Sequence, residues 1–124
     1  MRYAIIRIEP NLEADLLEMG AAFVDALETN TYQGDVFTFE TPAALFQAIT
    51  PKRWALLDKL QGKSAMSIRE IAKHLGRDIK NIHSDISKLL DIGLLERDDA
   101  GRVFSPFAEI RTEFTLRGES KAAA

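Results

Sequence analysis

Between Thr50 and Pro106 the chain carries three helix signatures in succession and then two short strand-like runs around a turn, an order that few folds accommodate. Thr50-Pro51 sets a capping hydroxyl before a first-turn proline, and Trp54, Leu57 and Leu60 follow at the spacing of a buried stripe. Gly62 ends that helix. Ser67 and Glu70 have the spacing of a capping box, and Ile68, Ile71, Ala72 and Leu75 form the inward face of the helix that it starts. Gly76 permits a sharp turn, and Asp78 can cap a third helix on which Ile79, Ile82, Ile86, Leu89 and Leu90 cluster on one side until Gly93 closes it. Leu94 to Arg97 and Arg102 to Ser105 flank Asp98-Asp99-Ala100-Gly101, whose composition suits the turn of a β-hairpin.

The flanks read differently. Arg2 to Glu9 is rich in β-branched residues and stops at Pro10, which predicts an opening strand of about six residues. Asn11 suits a helix cap, and Leu12, Leu16, Met19, Phe23, Ala26 and Leu27 recur at the intervals of an amphipathic helix running to Glu28, with Gly20 weakening its middle. Val36 to Glu40 alternates as a second strand, and Thr41-Pro42 caps a short helix through Ile49. Glu109 to Leu116 alternates strictly, so a last strand is expected, able to pair with the first; the tail 117–124 has no anchoring residue and is expected to be disordered.

A chain of 124 residues, 46% of them hydrophobic, is the size of one ordinary domain and can bury a core. No apolar run approaches the roughly 18 to 20 residues of a membrane helix, so a cytoplasmic protein without a membrane contact is expected. The absence of cysteine excludes disulfides, thiol nucleophiles and cysteine-held metals, and two histidines leave little for any metal site; no metal or other cofactor is expected. The net charge of −3 conceals a gradient: residues 1–49 hold two basic and eight acidic groups, residues 50–92 nine basic and five acidic, and residues 93–124 five basic and six acidic. The basic segment coincides with the three helices.

A stabilising helix, a glycine turn, a recognition helix and a hairpin are the outline of a winged helix-turn-helix. The expected fold is therefore α+β: a winged helix-turn-helix domain over 50–107, an N-terminal β-α-β-α extension over 1–49 for dimerisation or partner binding, and a C-terminal strand over 108–116. Opposite the apolar side, the third helix displays Lys80, Asn81, Ser84 and Lys88, side chains suited to reading base edges, along a helix of roughly 20 Å that a major groove about 12 Å wide can admit. Lys52, Arg53, Arg69, Lys73, Arg77 and Arg102 lie at helix starts, exposed flanks or the hairpin, where they can hold phosphates. Asp85 sits at the rim of the reading face, where it repels phosphate unless a cation, Lys88 or Arg69, pairs with it, and where it could also read cytosine. His83, next to Ile79 and Ile86 on the helical wheel, is expected at a partly buried edge, and His74 at the surface.

At Thr50 to Trp54, Ser67 to Ala72, Leu75 to Asp78, Ile92 to Leu95 and Glu109 to Arg111 the chain resembles MarR-like and ArsR-like winged-helix regulators, and more closely small DNA-binding antitoxins encoded beside Tum-type toxins. The resemblance spans about half the chain. It implies a transcriptional regulator, expected to be a repressor, that binds double-stranded operator DNA as a homodimer and can neutralise a neighbouring toxin protein. The long flanking helices through which many MarR-type proteins dimerise are not evident. A homodimer would instead use the N-terminal region, where strands 3–8, 36–40 and 110–116 can form a sheet with an edge for the partner to cover.

Two other classes compete. Catalysis would need a phosphate loop, nucleophile elbow, HExxH pair or comparable constellation, none of which occurs, so no catalytic residue is assigned. A winged helix used for protein–protein interaction or assembly without DNA is the nearer alternative, because fold alone does not establish function.

Overall fold

The computed structural model describes residues 1–9, 32 and 34–116. In chain order these form strands β1 (Tyr3–Ile8) and β2 (Asp35–Phe39), helices α1 (Pro42–Ala48), α2 (Pro51–Leu60), α3 (Ile68–Leu75) and α4 (Ile79–Ile92), and strands β3 (Glu96–Arg97), β4 (Val103–Phe104) and β5 (Glu109–Glu113). The fold class is α+β. The helix expected over 12–28 and the tail 117–124 lie outside the described residues.

β1 is the middle strand of a three-stranded sheet of order β2-β1-β5, and both of its pairings are parallel, with Ile6 opposite Phe37 on one side and Thr112 on the other. Strand alternation sends Ala4 and Ile6 into the core, where both are fully buried, while Tyr3, Ile5 and Arg7 turn to the opposite face. β5 ends at Glu113, three residues short of the alternating pattern. Its ladder stops there because Glu113 pairs with Arg7, one residue before β1 itself ends.

Gly34 enters β2 with φ +92°, and a Cβ built on it would stand 2.6 Å from Cε2 of Tyr3. Tyr3 cannot easily yield, since its ring packs edge-on to Tyr32 and the Tyr32 hydroxyl donates to the Tyr3 carbonyl at 3.0 Å. Left-handed strain and the clash add, so Gly34→Ala is expected to lower stability by about 2 kcal/mol, measured as a lower midpoint in a urea titration.

The helix boundaries follow the local chemistry. Thr41 and Thr50 cap α1 and α2 by accepting from the Ala44 and Arg53 amides, with proline at the first turn of each. The capping box at α3 is complete: the Ser67 hydroxyl accepts from the Glu70 amide at 3.1 Å, and the Glu70 carboxylate accepts from the Ser67 amide at 3.0 Å. That backbone hydrogen bond from Ser67 holds the Glu70 carboxyl below the usual range. Gly76 ends α3 in the left-handed conformation at φ +64°, and Asp78 caps α4 by accepting from the Lys80 amide.

One continuous core runs across residue 50. Ala4, Ile6, Leu45 and Ile49 pack in the same cluster as Leu56, Ile71, Ile82, Ile86, Leu89 and Leu95, so the sheet and the helices share their interior. Trp54, expected to anchor the buried stripe of α2, is only half-buried; Leu56, Leu57 and Leu60 fill that interior. Ile79 is a further correction, being 43% exposed. Its periodicity is that of the apolar stripe, but periodicity cannot say how far along a helix the packed neighbours reach, and Ile79 is the first residue of α4.

The hairpin is short, pairing Glu96 with Phe104 and Arg97 with Val103, and its turn is closed by the Asp98 carboxylate, which accepts from the Ala100 and Arg102 amides. Met66 and Val103 exchange backbone hydrogen bonds at 2.9 and 2.7 Å, which fastens the hairpin to the segment leading into α3. Arg2 joins the sheet to it from the other side, bonding Asp35 at 2.9 Å and Glu96 at 3.1 Å while its guanidinium lies 5.0 Å from the centre of the Phe107 ring.

Candidate functional site

α4 has 14 residues and therefore a length of roughly 21 Å. Its inner side buries Ile82, Ile86 and Leu89 completely, which fixes its rotation about its own axis. The same rotation leaves Lys80, Asn81, Ser84 and Lys88 exposed along the opposite side. His83 is exposed as well, contrary to the partly buried edge expected for it, and joins that outer side; His74 on α3 is at the surface as expected.

Asp85, on the boundary between the two sides, is 9% exposed and is the buried charged residue among the described ones. Its carboxylate accepts from Nε of Arg53 at 3.1 Å and from the Arg77 guanidinium at 2.9 Å. These two arginines, rather than Lys88 or Arg69, are its partners. Arg53 also donates to the Ala48 carbonyl at 2.8 Å, so a single group of charges links the end of α1, the start of α2, the turn after α3 and the middle of α4. The geometry gives Arg53 and Arg77 a positioning task that charge composition alone did not reveal.

Other cations remain open. Lys52 and Lys59 on α2, Arg69 and Lys73 on α3, and Lys80 and Lys88 on α4 are exposed, and no carboxylate bonds them among the described residues. Arg102 is different: it bonds the Asp98 carboxylate at 3.1 Å, and that bond and the two backbone bonds from Arg102 and Ala100 belong to the hairpin turn itself. The amide of Arg102, with the turn around it, holds the Asp98 carboxyl below the usual range. The tip therefore carries as much acid as base, Asp98 and Asp99 against Arg97 and Arg102 in number.

An open cleft of about 390 Å³ lies between α2 and the turn after α3, lined by Lys52, Ala55, Leu56, Lys59, Leu75 and Arg77. Its floor is apolar and its charged lining residues are all basic. Lys59 was not among the residues singled out from sequence, although it stands seven positions after Lys52, two helical turns along the same side of α2. A phosphate or carboxylate is the chemistry that such a rim can hold. Among the described residues no cluster of three or more histidine and acidic side chains could hold a metal ion, and no helix is long and apolar enough to cross a membrane.

Comparison with known proteins gives one family. The model of the HVO_A0114 family matches residues 48–112, which is more than half of the chain and contains α2 to α4, the hairpin and most of β5; the chain belongs to that family. No curated protein and no solved structure matches it.

Proposed function

We propose that this member of the HVO_A0114 family is a sequence-specific DNA-binding regulator in which α2, α3, α4 and the β3–β4 hairpin form a winged helix-turn-helix. The observation that carries the reading is the outer side of α4, where Lys80, Asn81, Ser84 and Lys88 are exposed in one row on a helix whose rotation is fixed by its buried isoleucines and leucine. An amide can make paired hydrogen bonds to adenine, a hydroxyl can address several base edges, and lysine suits guanine or phosphate. Open cations on α2 and α3, Lys52, Arg69 and Lys73, flank that row and supply phosphate contacts. Arg53 and Arg77 contribute chiefly by holding α4 through Asp85, and Arg102 reaches phosphate only by sharing itself with Asp98.

On this reading the protein works in the cytoplasm without a cofactor, catalyses no reaction, and binds double-stranded DNA as a homodimer, since two related copies of α4 read the halves of a palindrome. Repression of its own gene, together with neutralisation of an adjacent toxin, is the form of regulation proposed for it. Binding through phosphates separates this from a protein-interaction module, because only the former weakens steeply with salt.

The test is a pair of substitutions on the two kinds of contact. Asn81→Ala is expected to lose roughly 1 to 3 kcal/mol on the preferred site and much less on random DNA, whereas Lys73→Ala should weaken both alike and make the salt slope shallower by about one. Equal loss by Asn81→Ala on both DNAs would remove Asn81 from the reading face. An unchanged slope for Lys73→Ala would remove that residue from the phosphate contacts.

A further inference from the structure

β5 is an edge strand with a free side among the described residues, since the sheet order β2-β1-β5 places its only pairing on β1. The direction of its backbone groups follows from β1: the Glu9 amide donates to the Phe39 carbonyl at 2.8 Å and the Arg2 carbonyl accepts from the Ala108 amide at 2.8 Å, so the odd residues of β1 bond β2 and the even ones bond β5. In the register with Ala4 opposite Ile110 and Ile6 opposite Thr112, the amides and carbonyls of Glu109, Arg111 and Glu113 then turn toward β1 and those of Ile110 and Thr112 outward. Unpaired outward groups of this kind are a template for another strand.

The side chains along the same edge restrict what can pair there. Antiparallel self-pairing centred on Arg111 would set Arg111 against its own copy and Glu109 against Glu113, opposing like charges at every odd position. Centred on Ile110, it also sets Glu109 against Arg111, but it calls on the Ala108 amide to bond the partner's Thr112, and that amide is already given to the Arg2 carbonyl. Centred on Thr112, it sets Arg111 against Glu113 twice over, Ile110 against Phe114 twice over, and Glu109 against Thr115. The apolar pair matters because Phe114 is 40% exposed and stacks edge-on against Phe46, itself 49% exposed, at 6.3 Å between ring centres. A partner strand in this register covers that patch.

We infer that the occupant of this edge is a second copy of the chain, paired antiparallel about a two-fold axis at Thr112 to give one sheet of order β2-β1-β5-β5-β1-β2. The inference rests on the homodimer proposed above and gives it a surface and a register. The charges do two jobs, favouring the register centred on Thr112 and opposing the one shifted to Arg111. A closed two-fold pairing also leaves no free β5 edge on which further copies can add.

The native chain contains no cysteine, so single cysteines report on the register without interference. In the proposed pairing the two copies of Thr112 form a hydrogen-bonded pair with Cα atoms about 5.5 Å apart, within disulfide range, whereas the two copies of Glu109 stand roughly 20 Å apart. Full-length Thr112→Cys is expected to form a covalent dimer on mild oxidation, and Glu109→Cys is expected to remain uncrosslinked under the same conditions. Arg111→Glu should weaken dimerisation about tenfold in sedimentation equilibrium, and adding Glu113→Arg to it should restore most of that loss, because the cross-strand pairs are then reversed and only the Arg111–Glu109 bond within each chain stays broken. A parent that sediments as a dimer while Thr112→Cys fails to crosslink, or while Glu109→Cys crosslinks equally well, overturns the edge and leaves the proposed dimer to another surface. A monomeric parent overturns the dimer reading and this inference together.

Discussion

Asp85→Ala is expected to destabilise the protein by about 3 kcal/mol, although the substitution removes only one small side chain. The carboxylate accepts from two guanidiniums, those of Arg53 and Arg77, and its loss leaves both charges without their acceptor in a region where the three side chains are 13% to 24% exposed. Removing one partner of a fully buried pair costs about 3 to 5 kcal/mol, and the residual exposure here lets water reach the abandoned guanidiniums, which puts the effect at the lower end. Arg53 keeps its bond to the Ala48 carbonyl, so α1 and α2 stay joined while α4 loses its tie to both α2 and the turn. DNA affinity should therefore fall by more than the loss of folded protein accounts for. Urea denaturation gives the first quantity and a binding titration on protein shown to be folded gives the second. A destabilisation below about 1 kcal/mol would mean that the ion group contributes no more than an exposed pair.

Leu89→Ala is expected to cost about 2 to 5 kcal/mol, the range for emptying a fully enclosed leucine site. Leu89 has no exposure, and its carbonyl receives the Gly93 and Leu94 amides that close α4. Its chain neighbour Lys88 is exposed on the other side of the helix, and Lys88→Ala should leave stability within about 0.5 kcal/mol of the parent. On the proposed DNA-binding function the effects should be reversed in kind: Lys88→Ala should lower DNA affinity at full stability, while Leu89→Ala should lower the folded fraction and leave the outer side of α4 intact on molecules that remain folded. Equal destabilisation by both substitutions would contradict the assignment of inner and outer sides to α4.

Local chemistry made much of this fold legible. The Ser67–Glu70 capping box, the Asp78 cap and the glycines that end α3 and α4 all act within a few residues, and each stands where the sequence places it. The opening strand was readable from its β-branched run and the closing strand from alternation, and their pairing follows once both have an apolar side to bury against the same core. What sequence could not supply was reach. Ile79 has the right phase but stands at the end of its helix, and His83 was assigned to an edge by phase alone when the packing leaves it outside.

The site shows the same division between phase and partner. Exposure of Lys80, Asn81, Ser84 and Lys88 followed from the helical wheel, because the buried stripe dictates which side is left. The fate of the arginines did not. Arg53 and Asp85 are 32 residues apart, and nothing near either one in sequence announces the bond between them, so a charge that resembled a phosphate contact proves to be occupied within the protein. Lysines without carboxylate partners and arginines held in ion pairs carry the same formal charge in a composition, and only geometry tells them apart.

The most direct test of the central claim is a binding titration of the full-length protein on DNA from immediately upstream of its own coding sequence and on a scrambled duplex of equal length, each repeated from 50 to 200 mM salt. The account predicts tighter binding to the upstream DNA at every salt concentration, and a linear fall of log affinity with log salt on both duplexes at a slope near −0.9 for each phosphate contacted. Open cations on all three helices make a slope of several units the expected result. Affinity that does not change with salt, or no binding to either duplex at 50 mM, would contradict it.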